Sequence, residues 1–311
     1  MAIDLTKVKT YSLIKRKSKI SLQNFVSLGR KNLSFKKFYD GLPDVLAARN
    51  FRDVVSSIIS ARKRKKAVIF MLGAHVIKCG LSPIIIDLIK RKIITCVALN
   101  GAGIIHDFEL AFCGSTSEDV ACGLENGSFG MSKETAEFLN KAIKDGSLSG
   151  LGAGEAVARR MLKEKLKFKH NSILFNAIQA KIPVTVHIAI GSDIIHQHPS
   201  ADGASIGEAS LVDFRKLTKE VARLDNGGVV VNLGSAVILP EVFLKALNLV
   251  RNLGHLVENF TAVAFDMLHQ YRVRENVVAR PSIALHAKGY YIIGHHELMI
   301  PLLYQAILEK M

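Results

Sequence analysis

AVIFMLGAHVIKCGLSPIIIDLIKRKIITCVALNGAGIIHD (67–107) holds the pattern by which the rest of the chain can be read. A short apolar run rich in β-branched residues, AVIFML (67–72), stops abruptly at Gly73-Ala74-His75. A helix signal follows over 82–91, with Ser82 as the cap and Pro83 at the first helical position. A second apolar run, IITCVAL (93–99), stops at Asn100-Gly101-Ala102-Gly103, and a further helix is expected from about 103. Continuous apolar runs, as opposed to alternating ones, belong to strands covered on both faces. Separated by amphipathic helices, they indicate a parallel sheet.

The unit recurs along the chain. PVTVHIAI (183–190) ends in Gly191-Ser192-Asp193, followed by His196, His198 and Asp202. VVVNL (229–233) ends in Gly234-Ser235, FTAVAF (260–265) in Asp266, and YYII (290–293) in Gly294-His295-His296-Glu297. Further helices are expected over 43–63, 208–224, 240–253 and 296–309, with a glycine-punctuated helical insertion near 114–182. Ligands of open α/β sheets bind beyond the carboxyl ends of the strands. Polar clusters at that one edge therefore point to a site, and the chain reads as an enzyme. The expected organisation is a basic arm, 1–33, with weak structure, then a single α/β domain, 34–311.

At 311 residues the chain can bury one large core. An apolar fraction of 49% with 22% charged residues excludes a disordered or fibrous class. No apolar stretch of about 18 residues suggests a membrane span. The opening MAIDLTKVKTYSLIKRKSKI is basic but lacks an apolar core, so a cytoplasmic location is expected. Cys79, Cys96, Cys113 and Cys122 are scattered, with no CxxC pair, and read as core or near-core thiols. Residues 1–66 carry seventeen Lys and Arg against four acids, which is +13 of the overall +15. Nucleic acid is not the expected partner, because this segment has few aromatics to stack on bases. ARKRKK (61–66) reads instead as a helix end, where cations favour the macrodipole. A non-catalytic protein that captures a partner through this arm is one alternative reading.

Several constellations can carry chemistry. Asn100-Gly101-Ala102-Gly103 and Gly234-Ser235 are strand-to-helix turns where a ligand backbone can approach closely and a helix N-terminus favours an anion. His196 and His198, with Asp193 and Asp202 nearby, can ligate a metal, and His106, His295 and His296 can add to the set. That reading gives a metal-dependent hydrolase or lyase, although no closed zinc spacing such as HExxH is present. Asp107, Glu109, Asp202, Glu208 and Glu241 are candidate anchors for an amine. Lys288 is a candidate imine-forming amine if burial lowers its pKa.

Taken in order, five segments resemble deoxyhypusine synthase and its relatives. They are FMLGAHVIKCGLSPIIIDLIKRKIITCVALNGAGIIHDFE (70–109), ADGASIG (201–207), VVVNLGSAVI (229–238), ARP (279–281) and GHHELMIPLLYQAIL (294–308). The resemblance implies a Rossmann-like parallel sheet with helices on both faces, a homotetramer, and NAD as cofactor. It also implies a polyamine or other amine substrate, with an aminoalkyl group carried on a lysine to an acceptor that can be a protein. Gly73, Ala74, His75, Asn100, Gly101, Ala102, Gly103, Asp202, Gly234, Ser235, His295 and His296 fall where the family contacts its cofactor. Asp107, Asp202 and Glu208 are the expected amine anchors, and Lys288, one residue out of register with the family's lysine when counted from ARP (279–281), the expected carrier.

The departures point away from deoxyhypusine synthesis itself. Pro240 stands in place of the family's histidine, leaving the adjacent Glu241 to handle protons. His106 replaces a glutamate and Glu208 an aspartate. The lysine segment reads Leu285-His286-Ala287-Lys288-Gly289, and the chain has no tryptophan to supply the family's stacking ring. New histidines at the same edge imply altered chemistry.

Overall fold

The computed structural model describes residues 3–283 and 286–311, so Leu285 of the lysine segment lies outside the described residues. The chain divides into two compact units, 1–50 and 51–311, a later boundary than the one expected at residue 33. Within the first unit, isolated single turns at Leu5–Lys7, Leu13–Lys15 and Leu22–Asn24 precede helix α1, Phe35–Gly41. Helix α1 is capped by Ser34, whose side chain accepts from the Lys37 amide.

Helix α2, Leu46–Lys63, leads into the sheet unit, followed by β1 (Val68–Leu72), α3 (Ala74–Lys78) and α4 (Ser82–Lys90). Next come β2 (Cys96–Asn100) and α5 (Gly101–Cys113). The expected insertion consists of α6 (Val120–Asn126), α7 (Lys133–Ser147), α8 (Ala153–Lys163) and α9 (Ile173–Gln179), and it returns to β3 (Val184–His187). Then follow α10 (Gly203–Ala222), β4 (Val229–Leu233), α11 (Ile238–Asn252) and β5 (Thr261–Asp266). Short helices α12 (Tyr271–Val273) and α13 (Arg280–Ile283) flank a wider π-type turn at Arg274–Ala279. Strand β6 (Lys288–Ile293) and helix α14 (His296–Lys310) complete the chain.

All six strands are parallel and lie in the order β3-β2-β1-β4-β5-β6. The central strands β1 and β4 are buried along their whole length, as their unalternating apolar sequences require. One face is covered by α10 and α11. Leu217, Val221, Leu239, Phe243 and Val250 pack on Ile69, Met71, Cys96, Ala98 and Val230. Cys96 is thus a core thiol, whereas Cys113 and Cys122 are exposed, against the expectation, and Cys79 is partly so. Edge strand β6 is more exposed, with Ile292 its buried residue.

Several boundaries differ from the sequence reading because side-chain caps set them. Helix α10 begins at Gly203, earlier than expected, because the Asp202 carboxylate accepts from the Ser205 amide at 3.1 Å. The return to β3 is pinned by a buried carboxylate. Asp213 accepts from the amides of Gly154 and Val186, each at 2.8 Å, and burial pushes its pKa up to about 7. Among the described residues no helix is long and apolar enough to cross a membrane.

Candidate active site at the carboxyl edge

From β1 the chain proceeds outward to β2 and β3, whereas from β4 it proceeds the opposite way to β5 and β6. Connections leaving neighbouring strands in opposite directions open a crevice at the carboxyl edge, the position where such sheets bind ligands. Gly73 and Gly234 stand at this point, one after each strand. The Gly73 amide donates to the Leu233 carbonyl at 2.8 Å, and a methyl group at Gly73 would run into the Gly234 carbonyl. Gly234 has φ +66, and a methyl there would stand 2.5 Å from Nε2 of His296. Both positions need a bare backbone.

Around this pair the structure gathers Ala74, His75, Ser235 and His296. The rings of His75 and His296 lie 5.8 Å apart, centroid to centroid. His296 is buried, which is the main reason its pKa is lowered, and its Nδ1 finds no partner among the described residues. Asn232, buried in β4, donates to the Ser235 carbonyl at 3.1 Å, while its Oδ1 has no donor among the described residues. Ser235 Oγ accepts from the Leu239 amide in the first turn of α11 at 3.2 Å. Unsatisfied polar atoms of this kind are costly in a core. His295 caps α14 from an exposed position and lies 3.8 Å from Glu297.

One strand over, the Asn100–Gly103 turn is built differently. Asn100 Oδ1 accepts from the Gly103 amide at 3.1 Å, closing the start of α5. The Asp193 carboxylate sits against Gly101, where a methyl group would overlap its Oδ2. An anion of the chain itself therefore already covers this helix start. Burial pushes Asp193 up to about 6.

Beside α5 is a cavity of about 190 Å³ lined by Lys78, His106, Glu109, Glu118, Phe129 and Asp193, among others. Here Thr116 donates its hydroxyl proton to Glu109, and His106 Nδ1 lies 2.7 Å from the same hydroxyl oxygen. With its one proton committed, Thr116 must accept from Nδ1–H, so Nε2 of His106 carries the free lone pair. Burial, assisted by the Lys78 ammonium, lowers His106 to about 4 and keeps it neutral.

Other expected residues are placed elsewhere. Asp107 is fully buried and caps α9, accepting from Ser172 Oγ at 2.5 Å and from the amides of Ile173 (2.6 Å) and Leu174 (3.2 Å). Burial raises it to about 6, and a substrate ammonium has no access to it. Asp202 is engaged as the α10 cap and pairs with Lys144 at 3.2 Å. Glu208 is exposed on α10. Glu241 bridges Lys245, Arg272 and Asn276; the Lys245 hydrogen bond is the main cause holding its carboxyl below its usual range, which does not suit proton transfer near neutrality. His196 Nδ1 accepts from the amides of Gly191 and Asp193, and His198 Nδ1 from that of Ser200, so each ring is folded into its own turn. Among the described residues no three His, Cys, Asp or Glu come together as a metal site.

Lys288 opens β6, which runs parallel to the other strands, so it lies at the amino edge of the sheet beside Thr261. At about 3.3 Å per residue, the strand separates it from the carboxyl edge by roughly 16 Å. Sequence reasoning missed Asn232, Lys78 and Glu118. Asn232 carried a signal, an amide inside an otherwise apolar strand; Lys78 and Glu118 carried none.

No protein-family model matches the sequence, and no curated protein matches it either. Solved structures match the fold. AgrE, in its ternary complex with ornithine and NAD+, gives a TM-score of 0.55 at 14% identity over 86% of this chain and 34% of its own. This chain thus spans about a third of the length of AgrE. A candidate LOR/SDH protein from Methanococcus maripaludis S2 gives 0.54 at 15% identity, covering 86% of this chain and 71% of that one. A candidate deoxyhypusine synthase from Entamoeba histolytica gives 0.50 at 12% identity, covering 90% and 94%. At such identities the likeness is one of fold: an all-parallel, six-stranded α/β sheet of the kind seen in deoxyhypusine-synthase-like and LOR/SDH-like structures.

Proposed function

We propose that this chain is a dinucleotide-dependent enzyme acting on a small amine, with NAD held at the β1–β4 crevice. The observation that carries the reading is the strand order, which reverses between β1 and β4 where Gly73 and Gly234 leave the backbone bare. The residues present fit such a group. Gly73 and Gly234 carry no side chain where the two strand ends meet, and the partly exposed ring of His75 stands beside them. AgrE, which shares the fold, is seen with NAD+ and an amine, ornithine.

NAD bound here supplies a hydride acceptor. The chain's own residues do the rest. Gly73 and Gly234 permit close approach, and Ser235 with α11 orders the crevice wall. His106, held neutral with Nε2 free in the cavity beside α5, can accept a hydrogen bond from a substrate ammonium. Aminoalkyl transfer through Lys288 is not part of this proposal, because within one chain that lysine is at the other edge. Calorimetric titration with NAD+ and NADH tests the reading. Binding is expected, weakened about tenfold or more by Gly234→Ala. No heat from either nucleotide at millimolar concentration overturns it.

A further inference from the structure

The cavity beside α5 has a charge pattern that the dinucleotide crevice does not explain. Its carboxylates, Glu109, Glu118 and Asp193, face one cation, Lys78. Glu109 is held by two hydroxyls, those of Thr116 and Thr135, and Glu118 by the Gly130 amide at 3.0 and 3.2 Å. Neither has a Lys or Arg partner among the described residues. His106, 3.8 Å from Glu109, is neutral and does not compensate. Asp193 is only 9% exposed; its carboxylate stands at the start of α5 and, beyond the turn it caps, has no side-chain donor or cation among the described residues. Burying a carboxylate in this way is costly unless a cation comes to it. Size narrows the ligand further. About 190 Å³ is well below the roughly 300–1,000 Å³ of pockets for drug-sized ligands, so a dinucleotide is excluded and an amino-acid-sized molecule fits.

We infer that this cavity binds a dibasic α-amino acid, its carboxylate on Lys78 and its two ammonium groups on Glu109, Glu118 and Asp193. A diamine would leave Lys78 unmatched and bring it a like charge, while a neutral-chain amino acid would leave carboxylates unmatched. The binding claim stands on the cavity alone; its role in turnover rests on the amine-enzyme reading above.

Titration of the full chain, without nucleotide, with L-ornithine, L-lysine, L-arginine, putrescine and L-norvaline tests it. At least one dibasic amino acid is expected to bind, with putrescine and norvaline weaker by about tenfold or more. Lys78→Met and Glu109→Gln should each cost about tenfold, and Lys78→Met should leave the weak putrescine binding unchanged or improve it. If Glu109→Gln loses its circular dichroism signature, Glu118→Gln serves in its place. Failure of all three dibasic amino acids at millimolar concentration overturns the inference, as does affinity that survives both substitutions within about twofold. Because no nucleotide is present, either result is independent of whether NAD binds.

Discussion

Gly73 and Gly101 both stand between a buried strand and a helix, and both are hemmed in, yet by different things. Gly73 abuts backbone, the Gly234 carbonyl of the neighbouring strand end. Gly101 abuts a side chain, the carboxylate of Asp193 on a short turn. The first contact is part of the sheet and cannot yield. The second closes a helix start with a group that can be removed. The β1–β4 edge is thus fixed by backbone, whereas the β2 turn is closed by a side chain of the chain itself. A glycine-rich turn in sequence does not say which of these it will be.

The most severe way to test this contrast is Gly73→Ala. Its methyl meets fixed backbone, so a loss of about 3 kcal/mol or more is expected in chemical denaturation, and no neighbouring truncation should restore it. Gly101→Ala should cost about 1–2 kcal/mol, and Asp193→Ala in the same chain should recover most of that. Recovery of both or of neither would erase the distinction.

The two turns should also differ in pH dependence. Asp193 has a folded pKa near 6, above its unfolded value, so its share of stability is full below about pH 4 and falls as pH rises to about 6. Asp193→Asn should remove that fall, up to about 3 kcal/mol for a shift of about two units. His296 is shifted the other way, chiefly by burial. Its share is present above its unfolded pKa of about 6.5 and is lost as pH drops through the window below it. His296→Gln should flatten the acid limb of a stability–pH profile and leave the limb governed by Asp193 intact.

The smallest effect belongs to Lys288→Met. It is exposed at the amino edge, so stability should stay within about 0.5 kcal/mol and nucleotide affinity should not change. A large loss of affinity would mean that this edge is brought to the site by a second copy of the chain.

Much of the architecture was legible because its signals are local. The runs 67–72 and 229–233 contain β1 and β4, and the helices expected over 43–63 and 82–91 form as α2 and α4. Gly73, Gly234, Ser235 and His296 were read as site residues from their position after strands, and they do come together. Asp107 misled because an acid on the first turns of a helix looks the same whether it faces a cleft or, as here, caps a helix distant in sequence. Glu118 was hidden in a glycine-rich stretch whose path over α5 no local pattern specifies.

Taken alone, the amino-acid sequence determined that this chain forms parallel strands and covering helices, since hydrophobic period and caps act over a few residues. Which strands become neighbours, on which edge Lys288 emerges, and that Lys78, Glu118 and Asp193 line one cavity were decided only by the tertiary structure. Those features depend on pairings between residues far apart in the chain, and their energies exist only once the sheet has assembled.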